Sequence, residues 1–469
     1  MQLYNSLTNS VDEFKPRKDG QITIYSCGPT VYSNAHIGNL SSYLYADTLK
    51  RALAYEFPGS KITHVMNITD IDDKTIKQSQ EHYPELEPHL RLQKVTREYE
   101  KLFLADLVAL GIDTADIVFV RATDYIEQMQ AIIKNLVDNK IAYITDDGVY
   151  FSIAAYKSAG KTYGQLVTIT AESTGAARVN NDEYDKDSIH DFALWKIKKP
   201  DEPAWDFEIG GKQLKGRPGW HIECSAMSAA KLGVPFDFHT GGVDLKFPHH
   251  ENEIAQSTAV GENNVLADFF IHSEHMLVDS QKMAKSADNF FTLQDIIDKS
   301  IDPLAFRLFV MQSHYRSQSH FSWVNLQAAQ NRLDRIRRVV SLQPVNAKKE
   351  RPTDYNNNQA LKQQFLEIAN DLNVAGVLES IEAELSAYEQ STDRLQLSSF
   401  LDVADDLLGL NLSTSLQSNL NPEQLELIAS REAARQTSNW AESDRLRNEL
   451  KSQGIGLRDT VEGTIWFLL

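Results

Sequence analysis

QITIYSCGPTVYSNAHIGNLSSYLYADTLKRAL, residues 21–53, with KITHVMNITD at residues 61–70, sets the reading of the fold. Gln21 to Ser26 is short and rich in β-branched residues, as a buried strand is. Gly28-Pro29 then stops it as a turn. From about Ser41 the apolar spacing predicts a helix, and residues 61–70 predict a second strand. Strand, turn, helix, strand is a βαβ unit, the seed of a doubly wound parallel sheet.

Working outward, the stretch from about Ala122 to Asp206 has a different texture. It holds the strand-like DGVYFSI at 147–153 and the polar NNDEYDKDS at 180–188, and it reads as an insertion into the sheet domain. Strand-like pattern resumes at PFDFHTGGVDL, residues 235–245, and at HMLVD, residues 275–279. From Asp302 onward the pattern is almost all helical. PVNAKKERPTDYNNNQ at 344–359 is polar, contains two prolines and reads as a linker or long loop. Residues 421–454 spell two amphipathic helices, and GIGLRDTVEGTIWFLL, 454–469, is a closing strand-like piece.

A chain of 469 residues exceeds one ordinary core, so two to four domains are expected. No run of about 18 apolar residues occurs, so no membrane span is implied. The opening MQLYNSLTNSVDEF carries acids early and lacks an apolar core, which points away from a secretory signal and towards the cytosol. With 47 Lys+Arg against 65 Asp+Glu the net charge is −18. That balance alone speaks against nucleic-acid binding, which needs positive charge to neutralise phosphate, although local basic patches remain open. Cys27 and Cys224 are the two cysteines, too few for a disulfide framework.

Three groups of residues carry chemistry. His36-Ile37-Gly38-Asn39 lies after a strand and a Gly-Pro turn, at the mouth of a helix. Free N–H groups there favour phosphate, and glycine allows close approach of a ligand. The plainer alternative is a satisfied loop histidine. Lys282-Met283-Ala284-Lys285-Ser286 places two lysines three apart, suited to one anion, or else to a solvated surface loop. His249 and Glu253, four apart in PHHENEIAQS, share a helix face. With two thiolates they make a donor set of the kind zinc takes. Cys27 and Cys224 are far apart in sequence, so unrelated buried thiols remain the competing reading. His250 is then an outer-shell or substrate contact.

These residues together resemble a known family. HIGN and KMAKS are similar to the two ATP-handling motifs, HIGH and KMSKS, of class I aminoacyl-tRNA synthetases. CGPTVYSNAHIGN at 27–39, NITDIDDK at 67–74, RPGWHIECSAM at 217–227 and HTGGVDLKFPHHENEIAQS at 239–257 make the resemblance specific to cysteinyl-tRNA synthetases. HYRS at 314–317 and the C-terminal helix pair agree in order and spacing. The resemblance implies an α/β enzyme with a split Rossmann-like catalytic domain at 1–121 and 205–300 and an insertion at 122–204. A stem-contact helical region at 301–343, a helical bundle with linker at 344–415 and an anticodon-binding domain at 416–469 complete it.

It also implies roles. One zinc per chain would sit on Cys27, Cys224, His249 and Glu253 and select the cysteine thiolate. His36, Gly38 and Asn39 would bind the phosphates of ATP, accompanied by Mg2+, and Lys282 and Lys285 would clamp the pyrophosphate. Asp244 would hold the ribose, and Met276 and Val278 would offer backbone to adenine. Gly28, Thr69, Trp220 and His249 would form the amino-acid pocket. Plainer alternatives stand beside some of these: Thr69 a strand-end hydroxyl, Trp220 a core aromatic, Asp244 a helix cap. Arg431, Arg435, Arg445, Arg447 and Lys451 would supply phosphate contacts to tRNA(Cys), or pair with acids on helix faces. Trp440 and Trp466 would stack on bases or fill a small core. The expected protein is a cytoplasmic monomer acting on L-cysteine, ATP and tRNA(Cys).

Three departures from the family pattern stand out. Leu40-Ser41 follows HIGN in place of a small residue and arginine. Ala284 replaces the serine of KMSKS, and Ala287-Asp288 replaces the following Leu-Gly. Two rival readings compete: a shorter ligase joining cysteine to an amino sugar, and a non-catalytic paralogue binding tRNA or nucleotide.

Overall fold

A computed structural model describes residues 1–167, 174–179, 189–262, 264–278, 281–282, 289–344, 365–391, 394–416, 420–460 and 463–469. The chain divides into two compact units, Met1–Ile296 with Tyr315–His320, and Ile297–His314 with Phe321–Leu469.

The first unit is built on the predicted βαβ seed. Strand β1 (Gln21–Ser26) leads to helix α1 (Ile37–Glu56) and strand β2 (Lys61–Ile68). Helices α2 (Asp73–His82) and α3 (Pro88–Ala109) connect to β3 (Ile117–Arg121). Helix α4 (Ile126–Asp138) follows β3. A mixed sheet comes next, with β4 (Ala142–Ile144), β5 (Gly148–Phe151), β6 (Ile189–Ile197) and β7 (Gly216–Pro218) antiparallel to their neighbours and the segment Thr174–Val179 parallel to β6. Its last strand lies beyond residue 204, and helix α5 (Trp220–Leu232) follows directly. The chain then completes the first sheet with β8 (Phe236–Gly242), α6 (Glu251–Thr258) and β9 (Ala267–Ser273).

The main sheet has five parallel strands in the order β9-β8-β1-β2-β3. Strands 2 and 3 add on one side of β1 and the later two on the other. The winding therefore reverses between β1 and β8, and the crevice at their carboxyl ends is where such a sheet binds ligands. Ile22, Ile24 and Tyr25 of β1 are wholly buried, as expected of a central parallel strand covered on both faces.

Helix α1 begins at Ile37, four residues before the predicted start at Ser41. His36 is its N-cap: the Asn39 N–H donates to His36 Nδ1 at 3.1 Å. The first turn is held by this cap, so apolar periodicity could not register it. Gly28 is dictated by crowding, since a Cβ there would lie 1.8 Å from the Asn67 carbonyl oxygen.

The second unit is helical, with α7 (Pro303–Met311), α8 (Trp323–Val340), α9 (Val374–Ser391), α10 (Arg394–Leu408), α11 (Pro422–Gln436) and α12 (Trp440–Ser452). The closing segment is a hairpin of β11 (Ile455–Thr460) and β12 (Gly463–Leu468), packed on a small core of Ile428, Leu450, Ile455, Leu457 and Trp466. All but Pro344 of the predicted 344–359 linker lies outside the described residues. Among the described residues no helix is long and apolar enough to cross a membrane.

Candidate metal centre and nucleotide crevice

Four elements converge at the switch point. Cys27 follows the last residue of β1, its N–H donating to the Thr240 carbonyl of β8 at 3.1 Å. Cys224 sits on the second turn of α5, His249 in the helical turn Lys246–His250, and Glu253 in the first turn of α6. One donor atom from each lies within 4.8 Å of all the others. Cys27 Sγ is 3.9 Å from Cys224 Sγ and 3.8 Å from Glu253 Oε1, and His249 Nε2 is 3.1 Å from Glu253 Oε1. A tetrahedral ion with bonds of about 2.0–2.3 Å needs donors about 3.3–3.8 Å apart, so the donor set fits such an ion with small adjustments. A second, overlapping group pairs Cys27 and Glu253 with His239 and His250 instead.

The charges support a cation here. Burial opposes ionisation of Glu253, yet His239 and His249 overcome it and hold the carboxyl down at about 2. Burial likewise disfavours charge on His249, but Glu253 and Cys224 raise it to about 10. Burial pushes the Cys27 thiol well up, with Cys224 beside it adding to the rise. Against its own burial, Cys224 is brought down to about 6 by the Cys27 thiol and His249. The buried cluster thus keeps anionic donors that bare burial would neutralise, and a dication would replace the protons that now balance them.

An outer ring of histidines orients the donors. His221 Nδ1 meets His249 Nδ1 at 2.9 Å, leaving Nε2 towards Glu253. His239 Nε2 is 2.9 Å from Glu253 Oε2. His250 Nε2 touches Cys27 Sγ at 3.3 Å and passes through His272 to Ser6. Burial and the surrounding histidines keep His250 well below the ordinary imidazole range, and burial with Lys246 and His239 does the same for His272. Of this ring, sequence reading singled out His249 as a donor and His250 as an outer contact. His239 stands inside a quoted motif and its role was recoverable from it; Ser6, near the N-terminus, carries no sequence signal.

The structure places the expected pocket residues as follows. Trp220, first residue of α5, stacks on His249 with ring centroids 4.1 Å apart and is only partly buried, which distinguishes it from a core aromatic. Thr69 is buried just after β2, its N–H donating to the Pro29 carbonyl at 3.0 Å and its hydroxyl accepting from Asn67 at 3.1 Å. The Gly28 N–H donates to Asn67 Oδ1 at 2.8 Å. His36 caps the 20-residue α1, and the Ile37 N–H donates to the Phe291 carbonyl at 2.8 Å. Gly38 and Asn39 form the first turn of α1. Asp244 lies in the turn Val243–Leu245 after β8. Met276 and Val278 are buried in the short strand β10 (Met276–Val278) beyond β9. The backbone of Lys282 pairs with Leu277 of β10. Its side chain, and all of Lys285, lie outside the described residues.

At the C-terminal end the two tryptophans part company. Trp466 is 3% exposed and fills the small core, whereas Trp440 is 58% exposed, with the Arg435 guanidinium 5.9 Å from its ring centre. Arg431 is buried and makes two hydrogen bonds to Asp459, which Arg435 also reaches. Arg445 pairs with Glu442 and Glu449, and Arg447 donates to the Leu457 carbonyl. Arg431 therefore serves internal pairing.

Residues 13–331 match the model of the tRNA synthetases class I (C) catalytic domain. The fold agrees with the methionyl-tRNA synthetase of Mycobacterium tuberculosis bound by methionyl-adenylate, at a TM-score of 0.54 and 11% identity over 87% of this chain and 90% of that one. Sheet winding and matched domain define a class I aminoacyl-tRNA synthetase. Cysteine–tRNA ligases of Brachyspira hyodysenteriae and Chlamydia muridarum are 39% and 40% identical, over 99% and 98% of this chain and 98% of each relative. The chain belongs to the cysteine–tRNA ligase family.

Proposed function

We propose that the chain ligates L-cysteine to tRNA(Cys) through an enzyme-bound cysteinyl-adenylate, with zinc on Cys27, Cys224, His249 and Glu253 as the thiol selector. The observation that carries this is the convergence of those four donors at the sheet's switch point, beside the end of the strand that leads to the His36 cap. Bound there, zinc supplies a thiophilic Lewis acid that favours thiolate over the hydroxyl of serine. One small group in an apolar pocket discriminates by only roughly 1–3 kcal/mol, so selection by donor chemistry is the stronger device.

The protein's own groups do the rest by position. Trp220 on His249, with Gly28 and Thr69, shapes the amino-acid pocket. His36, Gly38 and Asn39 at the α1 N-terminus receive the ATP phosphates, escorted by Mg2+, where the helix dipole favours negative charge. Asp244 takes the ribose, and the backbone of Met276 and Val278 takes the adenine. Lys282 and Lys285 draw off the developing pyrophosphate charge. A carboxylate is already a competent nucleophile, so orientation and electrostatic stabilisation are the main requirements.

For the tRNA, residues 416–469 read the anticodon, with exposed Trp440 as the stacking platform. The test is ATP-dependent charging of tRNA(Cys) with cysteine by the full chain. Charged product with cysteine supports the reading; none under conditions where the protein is folded and zinc-loaded ends it.

A further inference from the structure

A line of buried polar groups runs from the N-terminal segment to the candidate metal centre. Ser6 Oγ is 2.8 Å from His272 Nδ1, His272 Nε2 is 2.8 Å from His250 Nδ1, and His250 Nε2 is 3.3 Å from Cys27 Sγ. Ser6, His272 and His250 are 3%, 6% and 0% exposed. Ser6 is fixed in place. Its N–H donates to the Phe270 carbonyl at 2.9 Å, and the neighbouring Asn5 side chain accepts from the Phe270 N–H and donates to the Asp268 carbonyl.

Proton counting limits what this line can be. A neutral imidazole has one N–H and one lone pair, so two rings in series between a sulfur and a hydroxyl admit only two polarities. A metal-bound cysteine is a thiolate and can only accept. His250 must then carry its proton on Nε2, His272 on Nε2, and the Ser6 hydroxyl must donate to His272 Nδ1. If Cys27 holds its own proton, the opposite polarity is open: S–H donates to His250 Nε2, both rings carry their protons on Nδ1, and Ser6 accepts. The hydroxyl of Ser6 is the end group that can serve both states.

We infer that Ser6 is a positioning residue for the metal centre, completing through His272 the donor chain that the metal-bound thiolate requires, with His250 donating to the Cys27 sulfur. The inference rests on the proposed ligand set Cys27, Cys224, His249 and Glu253. The tautomer also tells the two overlapping donor groups apart, since His250 as a ligand would carry its proton on Nδ1. With a proton on Nε2, His250 has no lone pair facing the ion and cannot be a ligand. Its N–H···S contact instead draws charge from the thiolate and fixes its direction, as outer-shell partners of metal ligands do.

The experiment measures zinc dissociation constants of full-length wild type, Ser6→Ala and Ser6→Thr by chelator competition, alongside 15N NMR of histidine tautomers in the zinc-loaded wild type. Outer-shell losses typically weaken metal binding about 10–100-fold. Ser6→Ala is expected to bind zinc about tenfold or more weakly, and Ser6→Thr, which keeps the hydroxyl, to stay within a few-fold of wild type. The spectrum is expected to place the protons of both His250 and His272 on Nε2. Nδ1 protons on those rings in the zinc-loaded protein would overturn the inference, as would undiminished zinc affinity in folded Ser6→Ala. Failure of the ligand set itself reads differently: wild type would then bind no zinc.

Discussion

His36 does two things that a single alanine substitution confounds. It caps α1 through Asn39, and it faces the place proposed for the ATP phosphates. Asparagine is a good N-cap, so His36→Asn should leave unfolding free energy within about 0.5 kcal/mol of wild type. Its rate of cysteine-dependent ATP–pyrophosphate exchange should still fall about 100-fold or more, by comparison with removal of one transition-state donor. His36→Ala should lose the same activity and about 1 kcal/mol besides, measured by urea melts. An Asn variant with full exchange activity removes the imidazole from the chemistry. At the proposed metal site, Cys224→Ala takes away a donor that is 1% exposed and has Cys27 3.9 Å away. Elemental analysis should find zinc near one per chain in wild type and far less in this variant. Retained zinc would mean that the alternative group with His239 and His250 holds the ion.

Between elements, the Arg431 pair ties α11 to the closing hairpin. Arg431 is 1% exposed and grips Asp459 of β11 with two nitrogens, while Arg435 supplies a third contact. Arg431→Ala should cost about 1.5–3 kcal/mol in a urea melt, the range for hydrogen bonds to a charged group. Arg431, above all, holds the Asp459 carboxyl below its usual range. Its contribution is therefore complete above the unfolded aspartate value of about 3.9 and fades as pH falls through the lower folded one. Wild type should lose stability in that acid window more steeply than Arg431→Ala; equal slopes would show that the pair is not the cause. Some elements were readable in advance and others were not, for physical reasons. Strand β1 announced itself because both of its faces are buried. The first turn of α1 did not, because a side-chain cap rather than an apolar stripe holds it. Strand β7 carries Gly216 and Pro218, residues that strand interiors rarely hold, so it shows no strand signal in the sequence, although the segment pairs with β6.

For the molecule as a whole, the chemistry was scattered where the sequence could not join it. Cys27 and Cys224 are 197 residues apart, and only the return of β8 beside β1 brings α5 and α6 to the end of the first strand. Spacing could suggest the His249–Glu253 half of the site; the thiol half came from resemblance to a family, and Ser6 from neither. The two tryptophans near the C-terminus could not be told apart until packing put Trp466 in a core and left Trp440 in solvent. Trp440→Ala should therefore fold normally and keep cysteine-dependent ATP–pyrophosphate exchange. Its KM for tRNA(Cys) should rise about fivefold or more, since a base stacked on an aromatic ring contributes about 1–3 kcal/mol. An unchanged KM would take the exposed ring out of anticodon recognition. Selection of the amino acid by its thiol is proposed to rest on one buried donor set. It is tested most directly by ATP–pyrophosphate exchange with cysteine and with serine, using the zinc-loaded full chain and the same protein after chelation. The expected results are exchange with cysteine, discrimination against serine well beyond the factor of about 10–200 that one small group in a pocket provides, and loss of cysteine exchange on zinc removal that zinc restores. Exchange that is equal for the two amino acids, or that persists undiminished in zinc-free protein, would contradict it.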